Sequence, residues 1–255
     1  MKRSIRQEFK ASMQDSAGIV REVHEALGRD QRIDLRRYPI VIQYEPDGSV
    51  VLQGETESLA AKKIALELAA SIRGTTGIID RIRVAPRQPM GDGAIRDHMR
   101  AAILQEGAFA HYGIQDAQEG GARTAAEAAA DRGSYIEIAV ADGVVTLDGQ
   151  VESLSHKRLA ELLAWWVPGT RDVVNGIEVK PPEDDCDDEI TDAIRMALEK
   201  DRLVTHDSIR VSTRNSVVTL EGIVPNRRQA EMAEADAWYI FGVDGVINHL
   251  RAAQE

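Results

Sequence analysis

Residues 142–153 read DGVVTLDGQVES, and closely similar stretches occur twice more, as GSVVLQGETES at 48–58 and NSVVTLEGIVPN at 215–226. In each stretch a run of aliphatic residues ends in an acid or amide followed by glycine. These pairs are Gln53-Gly54, Asp148-Gly149 and Glu221-Gly222. A pattern that returns along a chain indicates a repeated structural unit, and it places one copy of that unit around each stretch.

The three copies keep the same spacing after these glycines. A second glycine follows twenty positions later in each copy, and six positions beyond it stands an acid or amide: Gly74 and Asp80, Gly169 and Asn175, Gly242 and Asn248. Glycine tolerates positive φ and suits strand bends and helix ends, so all six glycines are predicted to be structural. The alternative for Gly54, Gly149 and Gly222 is a close approach of a ligand to the backbone.

Each stretch lies within a recurring order of predicted elements. Apolar residues at helical spacing come first, as in Ile190, Ile194, Ala197 and Leu198 of the third copy. Alternating apolar residues around a turn then predict a β-hairpin, for which Asp142-Gly143 is a strong signal. A second helix and a last strand complete the unit; the helices are predicted at roughly 59–72, 154–167 and 227–240.

The fold class that follows is α+β, with three tandem αββαβ units. The hairpin makes the first two strands antiparallel, and a right-handed crossover makes the second and third parallel. Each unit is therefore predicted to be a three-stranded mixed sheet with two helices on one face. The predicted bounds of the units are 15–84, 92–179 and 187–251.

Three features lie outside the repeated pattern. The second copy carries an insertion at about 111–133, which its composition predicts to be a loop or a short solvent-facing helix. Asp92, and Asp187 or Asp188, stand where N-caps of the first helices are expected. The acidic run 183–189 is interpreted as a solvated linker, with a site for a hard cation as the alternative.

Composition limits the class of protein. The 255-residue chain has a formal charge of −11 and a pI of about 5.1, which argues against a nucleic-acid partner and against simple adhesion to an anionic membrane. One cysteine, Cys186, excludes an internal disulfide. No apolar core follows the basic N-terminal residues, and no window approaches the roughly 18 apolar residues of a spanning helix. A cytoplasmic location is the expectation.

At this point the sequence resembles the BON domain family (bacterial OsmY and nodulation). The resemblance is carried by DGVVTLDGQVES with PGTRDVVNGIEVK at 168–180, and by NSVVTLEGIVPN with FGVDGVINHL at 241–250. The first copy departs more, because RGTTG at 73–77 replaces the usual Pro-Gly-Val. The pattern is specific for a fold, since its recurring residues are structural ones.

The resemblance implies non-catalytic binding modules, often in tandem and linked to osmotic and envelope stress. Several relatives are thought to bind phospholipid, and one cytoplasmic relative binds potassium. The residues themselves show no catalytic arrangement: none of the six histidines recurs in all three copies, and no nucleophile elbow, phosphate loop or zinc motif is present. No enzyme activity, metal or cofactor is therefore expected.

Basic residues recur near the start of each second helix, where cations oppose the helix dipole. An anion such as a phospholipid headgroup would explain them, and pairing with nearby acids such as Glu57 and Glu152 is the alternative. The candidate anion-binding residues are Lys62, Lys63, Lys157, Arg158, Arg227 and Arg228.

Two tryptophans, Trp165 and Trp238, occupy equivalent positions away from the predicted core stripe of their helices. They predict a contact surface, either between copies, between subunits or with a membrane.

Three functions remain open. The first is a stress-related adaptor that binds a protein partner or itself as a homo-oligomer. The second is a module for anionic phospholipid, and the third is a sensor of potassium or another monovalent cation.

Overall fold

The computed structural model describes residues 2–116 and 133–254. The chain forms two compact units that divide between Ala85 and Pro86. The first compact unit holds the first copy, and the second holds the other two. Most of the predicted insertion, residues 117–132, lies outside the described residues.

The first copy has the predicted order of elements: α1 (Lys2–Arg29), β1 (Ile40–Tyr44), β2 (Ser49–Thr56), α2 (Leu59–Ser71) and β3 (Gly77–Val84). The central strand β2 pairs antiparallel with β1 and parallel with β3. The apolar stripe of α1 is buried, with Val23 and Leu27 at 0% exposure. Together α1 and α2 cover one face of the mixed sheet, as the sequence predicts.

The second copy comprises α3 (Asp92–Gln105), a short 3-10 helix (Gly107–Phe109), β4 (Gly113–Asp116), β5 (Tyr135–Ala141), β6 (Val144–Val151), α4 (Leu154–Trp166), β7 (Asp172–Asn175) and β8 (Glu178–Val179). The strand order is β4-β5-β6-β7, and β8 also pairs with β6. The last predicted strand is therefore divided in two, at Gly176, whose N–H donates to Leu147 O at 2.7 Å.

The strand β4 corrects part of the prediction for the insertion. Residues 113–116 were expected in a loop or helix, yet they pair in parallel with β5 from Tyr135 to Ile138. The backbone groups on the outer edge of β5 need partners, and β4 supplies them. Four residues of which only Ile114 is a large aliphatic carry too little periodicity to predict a strand.

The third copy comprises α5 (Asp187–Lys200), a short 3-10 helix (His206–Ser208), β9 (Ile209–Arg214), β10 (Val217–Asn226), α6 (Arg227–Tyr239) and β11 (Gly245–Gln254). Its central strand β10 pairs antiparallel with β9 and parallel with β11. The same mixed sheet thus forms in all three copies.

The predicted N-caps of the first helices are wrong. The cap positions of α3 and α5 are Gly91 and Cys186, and neither contributes a side-chain hydrogen bond. Asp187 is the first helical residue, and its carboxylate accepts from Asn215 N at 2.7 Å and Ser216 N at 2.9 Å in the β9–β10 turn. Asp92 accepts in the same way from the turn residues of the second copy, Asp142 and Gly143.

The physical reason lies in the hairpin turns. Asp142, Asn215 and Ser216 have positive φ, and the strand ladder leaves the amides of these turns without backbone partners. A carboxylate at the start of the neighbouring helix accepts hydrogen bonds from two of these backbone N–H groups. Asp92 and Asp187 therefore join the first helix to the hairpin in the second and third copies.

Candidate interaction surface

The glycines after the repeated strands are fixed by steric constraint. Gly54, Gly149 and Gly222 have φ of 152°, 129° and 142°. A Cβ at these positions would overlap the carbonyl oxygen of Pro39, Tyr135 and Ser208, respectively, which lie at or directly before the start of the neighbouring strand. Glycine is needed at these positions because the neighbouring backbone occupies the space of a side chain. This explains the three glycines without a bound ligand.

The second set of glycines follows the second helices. Gly74 and Gly242 have φ of 101° and 90°, which favours glycine. Gly169 is limited by a neighbouring side chain instead of by its φ. A Cβ at this position would lie only 2.6 Å from Met90 Cβ, so no larger residue fits. All three are explained by local geometry.

Lys62 is turned into the first unit rather than toward solvent. It is 5% exposed, and its Nζ lies 2.9 Å from Asp80 Oδ2. Asp80 is the acid that follows Gly74 in the repeat, so this ion pair joins the second helix to the last strand. Internal pairing, the alternative left open by the sequence, holds for this residue with Asp80 as the acid.

Arg158 is completely buried where the second copy meets the third. Its Nη2 donates to Asp185 Oδ1, and its Nε donates to Phe241 O at 3.1 Å. Its neighbour Lys157 places Nζ 5.4 Å from the centre of the Phe241 ring. The guanidinium is thus used inside the chain, between copies.

The remaining candidate bases lie nearer to solvent. Arg227 is 89% exposed and pairs with Glu231 at 2.9 Å, Arg228 is exposed, and Lys63 is half-buried. Lys157 and Arg158 meet the same phenylalanine, whereas Lys62 and Lys63 belong to the other compact unit. Binding of an anion by these side chains stays a prediction.

The two tryptophans are buried. Trp165 is 8% exposed and stacks on Tyr239 of the third copy, with ring centres 5.6 Å apart and an angle of 8° between the planes. Trp238 is 3% exposed. Of the alternatives given above, Trp165 fits packing between copies within the chain, and neither ring presents an apolar surface to a membrane.

The linker before the third copy takes part in the same junction. Leu154 N, at the start of α4, donates to Glu183 Oε2 at 2.8 Å, and Asp185 pairs with Arg158. The acidic run was interpreted as a solvated linker; Glu183 and Asp185 are exposed, as that interpretation predicts, and in addition they contact the second copy. A fully buried guanidinium needs a counter-charge, and the linker provides it.

Asp236 adds a buried acid to the junction. It is 3% exposed and accepts from Trp166 Nε1 of the second copy at 2.9 Å. Burial raises the pKa of Asp236 to about 8; the nearby Asp201 also raises it, while the Trp166 hydrogen bond and Arg87 lower it. The other oxygen, Oδ2, accepts no hydrogen bond among the described residues.

An open groove lies beside the junction, between α6 and β11. It has a volume of about 890 Å³, and we name it the α6–β11 groove; its lining residues are Arg227, Ala230, Glu231, Glu234, Asn248, Leu250, Arg251 and Ala252. Counted from the repeat glycines, Arg227 and Glu231 correspond to Leu154 and Arg158. Two lining residues of the groove therefore correspond to residues that are covered in the second copy, where Leu154 N donates to Glu183 and Arg158 is buried.

The sequence analysis singled out the two tryptophans, Arg158 and the acidic run that contains Asp185, but it did not pair Asp185 with Arg158 and it missed Asp236 and Phe241. The sequence did contain a signal for Asp236, because this acid stands where the other two copies have Leu68 and Leu163. Asp185 and Phe241 had none, since their role depends on how two copies pack.

Residues 2–116 and 133–254 contain no group of histidine, cysteine or acidic side chains placed to hold a metal ion. Within those residues no helix has the length and apolar character needed to cross a bilayer.

The fold and this surface define a tandem α+β repeat protein whose second and third copies pack on one another. The family model of the BON domain matches residues 15–86, 122–181 and 187–254, and the chain therefore belongs to the BON domain family, with three copies. The second match begins at residue 122, whereas α3 at Asp92–Gln105 takes the place of the first helix in that copy. The insertion separates that helix from the rest of the unit.

Two relatives match about half of the chain. An "Uncharacterized protein in gshII 5'region" of Anaplasma centrale is 30% identical over 123 residues, which cover 46% of this chain and 82% of the relative. The osmotically-inducible protein Y of Escherichia coli (strain K12) is 32% identical over 114 residues, or 42% of this chain and 57% of the relative.

A solved structure of the C-terminal domain of CdsD, a structural protein of the type III secretion system of Chlamydia trachomatis, aligns over 91% of this chain and 96% of that one. The identity is 12% and the TM-score 0.23. A TM-score this low does not establish a shared arrangement.

Proposed function

We propose that this chain is a non-catalytic adaptor that acts by binding proteins through the faces of its BON units, in a response to osmotic or related stress. The observation that carries the proposal is the junction between the second and third copies. There the third copy packs on the second helix of the second copy. The contacts are made by Arg158, Trp165 and Trp166 of that helix.

The corresponding surface of the third copy supports the same reading. The α6–β11 groove has side chains that are exposed, including Glu231 at 62% and Arg227 at 89%. A surface type that binds a BON unit in one copy and is open in the next is suited to a protein partner. The stress role rests on the name of the E. coli relative, which this chain matches over little more than half of that relative.

The lipid alternative has weaker support. Three of its six bases, Lys62, Arg158 and Arg227, form internal ion pairs, of which the first two are buried, and the two tryptophans are buried as well. A headgroup site would rely on the more exposed bases, chiefly Arg227 and Arg228.

A photo-crosslinking amino acid in place of Arg251, in the full chain and in the organism that encodes it, tests the proposal. Arg251 lines the groove, and Arg210 on β9, whose side chain is 82% exposed, gives the matched control. Protein adducts identified by mass spectrometry at position 251 and absent at 210 support an adaptor. Adducts to lipid alone, together with salt-sensitive flotation on anionic vesicles, overturn it in favour of a phospholipid module.

A further inference from the structure

We propose that the outer edge of β1, in the first copy, binds an extended, uncharged segment of a partner protein, which adds to the sheet as a parallel strand. This inference rests on the proposed function and deepens it, because it names a surface of the first compact unit and the chemistry of the partner. The structural precedent is β4, which occupies the equivalent edge in the second copy.

The strand β4 shows how this fold accepts an additional strand. The edge strands of the three copies correspond in register, because Ile40, Ile136 and Ile209 each lie opposite the repeat glycine of their own copy. In the second copy β4 runs parallel to β5, and Gly113 N donates to Ser134 O at 3.2 Å. The described parts of the first and third copies have no strand at this place, so β1 and β9 are both edge strands.

The backbone of β1 presents hydrogen-bonding groups to this open edge. Glu45 N donates to Ser49 O across the hairpin at 2.8 Å, and successive residues of an antiparallel pair alternate between facing the partner strand and facing away. The backbone N–H and C=O groups of Ile40, Ile42 and Tyr44 therefore face away from β2. An extended segment on this edge would bond them in the way that β4 bonds β5.

The third copy protects its edge with charge, whereas the first copy does not. The strand β9 carries Arg210 and Arg214, whose side chains are exposed. Arg195 of α5 also donates from Nη2 to Val211 O at 3.4 Å. Charged side chains are a usual means of keeping an edge strand from pairing. The sequence of β1 is IVIQY, which has no charged residue and favours a sheet, so β1 rather than β9 is the edge open to a partner.

The outer face of β1 indicates an apolar partner segment. In the second copy Gln115 of β4 lies beside Glu137 of β5. In the first copy the place of Glu137 is taken by Val41, whose side chain is 55% exposed. An aliphatic residue at the place of Gln115 would cover Val41 and remove apolar surface from water.

The first helix indicates an uncharged residue at the next position of the partner segment. Asp116 of β4 pairs with Arg100 at 3.2 Å and lies 4.0 Å from Arg96, both on α3. Counting along the buried stripe that α1 shares with α3 places His24 and Val20 of α1 at these two positions. The two arginines thus have no counterpart in the first copy, and an uncharged residue suits the place of Asp116.

Titration of the full chain with short peptides, followed by NMR of the backbone amides, tests the inference. One capped peptide carries the β4 core Gly-Ile-Gln-Asp between Gly-Ser flanks, and a second carries Gly-Ile-Val-Val in its place. The second peptide should shift the amide signals of residues 40–44 and bind about 2- to 30-fold more tightly than the first, as two cross-strand pairs of ordinary strength imply. The amide signals of β9 should stay unchanged.

Modified forms of the second peptide test its backbone bonding and its direction. In the pairing that β4 makes, the N–H groups at the places of Gly113 and Gln115 face the edge strand. N-methylation of the first valine should therefore abolish binding, whereas N-methylation of the second valine, whose N–H faces away, should not. A spin label at the amino end should broaden signals near Ile40, and one at the carboxyl end signals near Tyr44.

A variant of the chain tests the edge itself. Val41→Lys places a charge on the edge strand and should weaken binding of the second peptide by at least about tenfold. Val174→Lys, at a valine 52% exposed on β7, is the matched control and should bind the peptide like the parent chain. Circular dichroism and melting verify that both variants fold, and the N-methylated peptides test the same contact without altering the chain.

The absence of shifts in β1 up to the solubility limit of the second peptide overturns the inference. Equal binding of the two core sequences, equal binding after N-methylation of the first valine, or an antiparallel label pattern also overturns it. Signals of β1 that change with the concentration of the chain alone would show that a second copy closes this edge. In each of these cases protein adducts at position 251 leave the adaptor function standing, since the α6–β11 groove belongs to the other compact unit.

Discussion

At the residue scale, one core position of the repeat changes from apolar to acidic where the second copy meets the third. The position that holds Leu68 and Leu163 in two copies holds Asp236 in the third, where its carboxyl bonds Trp166 across the junction. Burial disfavours the charged carboxylate, so the pKa of Asp236 is raised and the protonated, uncharged form is stabilised.

The free energy of unfolding should depend on pH through Asp236. The folded chain keeps this proton up to a pH of about 8, whereas the unfolded chain releases it near pH 4. Between these values the folded state binds more protons than the unfolded state, so stability from this group is greatest at low pH and is lost as pH rises through about 8.

Asp236→Asn removes that dependence and keeps an acceptor for Trp166. Urea unfolding from pH 5 to 9 should show a flatter stability curve for the variant than for the parent chain. Asp207→Asn, at an exposed acid, is the control and should follow the parent. A parallel fall in stability for all three proteins would contradict the assignment of a proton to Asp236.

The repeat glycines make a second residue-scale prediction. Gly149→Ala forces a Cβ against the Tyr135 carbonyl at a positive φ, and should lower the free energy of unfolding by about 2–4 kcal/mol. Gly107→Ala is the matched control, because no atom lies within 4 Å of its would-be Cβ. Chemical denaturation measures both, and equal losses would show that the steric account is mistaken.

At the element scale, two devices repeat between copies. Each second helix begins with a side-chain cap, at Ser58, Ser153 and Asn226. The acid or amide of the last strand accepts from a backbone N–H two residues on, as Asn248 does from Leu250 N at 3.0 Å. Local hydrogen bonds of this kind explain why these residue types return in register.

The joint between first helix and hairpin gives a prediction for an element. Asp187→Ala removes the acceptor of two turn amides, and charge-assisted hydrogen bonds of this kind are each worth about 1.5–3 kcal/mol. Asp188→Ala removes an exposed acid from the same helical turn without touching the hairpin. Hydrogen exchange at Asn215 and Ser216 should accelerate in the first variant only, and the same acceleration in both would point to the helix dipole instead.

At the scale of the whole molecule, Arg158 ties the second copy to the third. Arg158→Ala leaves Asp185 without its partner and opens a cavity, and should destabilise the second compact unit by about 3 kcal/mol. Arg158→Met fills the space without a charge and should lose less. The rate of limited proteolysis in the 180–188 linker measures how firmly the two copies are held together. Arg228→Met, at an exposed base, is the control. Linker cleavage unchanged in Arg158→Ala would show that the ion pair does not hold the copies together.

The sequence by itself determined the three-copy α+β plan, the mixed sheets and the positions at which glycine recurs in register. Each depends on spacing and turn chemistry within one copy, and three copies in register repeat the signal. Only the tertiary structure decided where Arg158 and Trp165 point, that Asp187 binds a hairpin turn, and that residues 113–116 add a strand. Those outcomes depend on contacts between residues far apart in sequence, such as Arg158 with Phe241. A local sequence pattern does not predict such contacts.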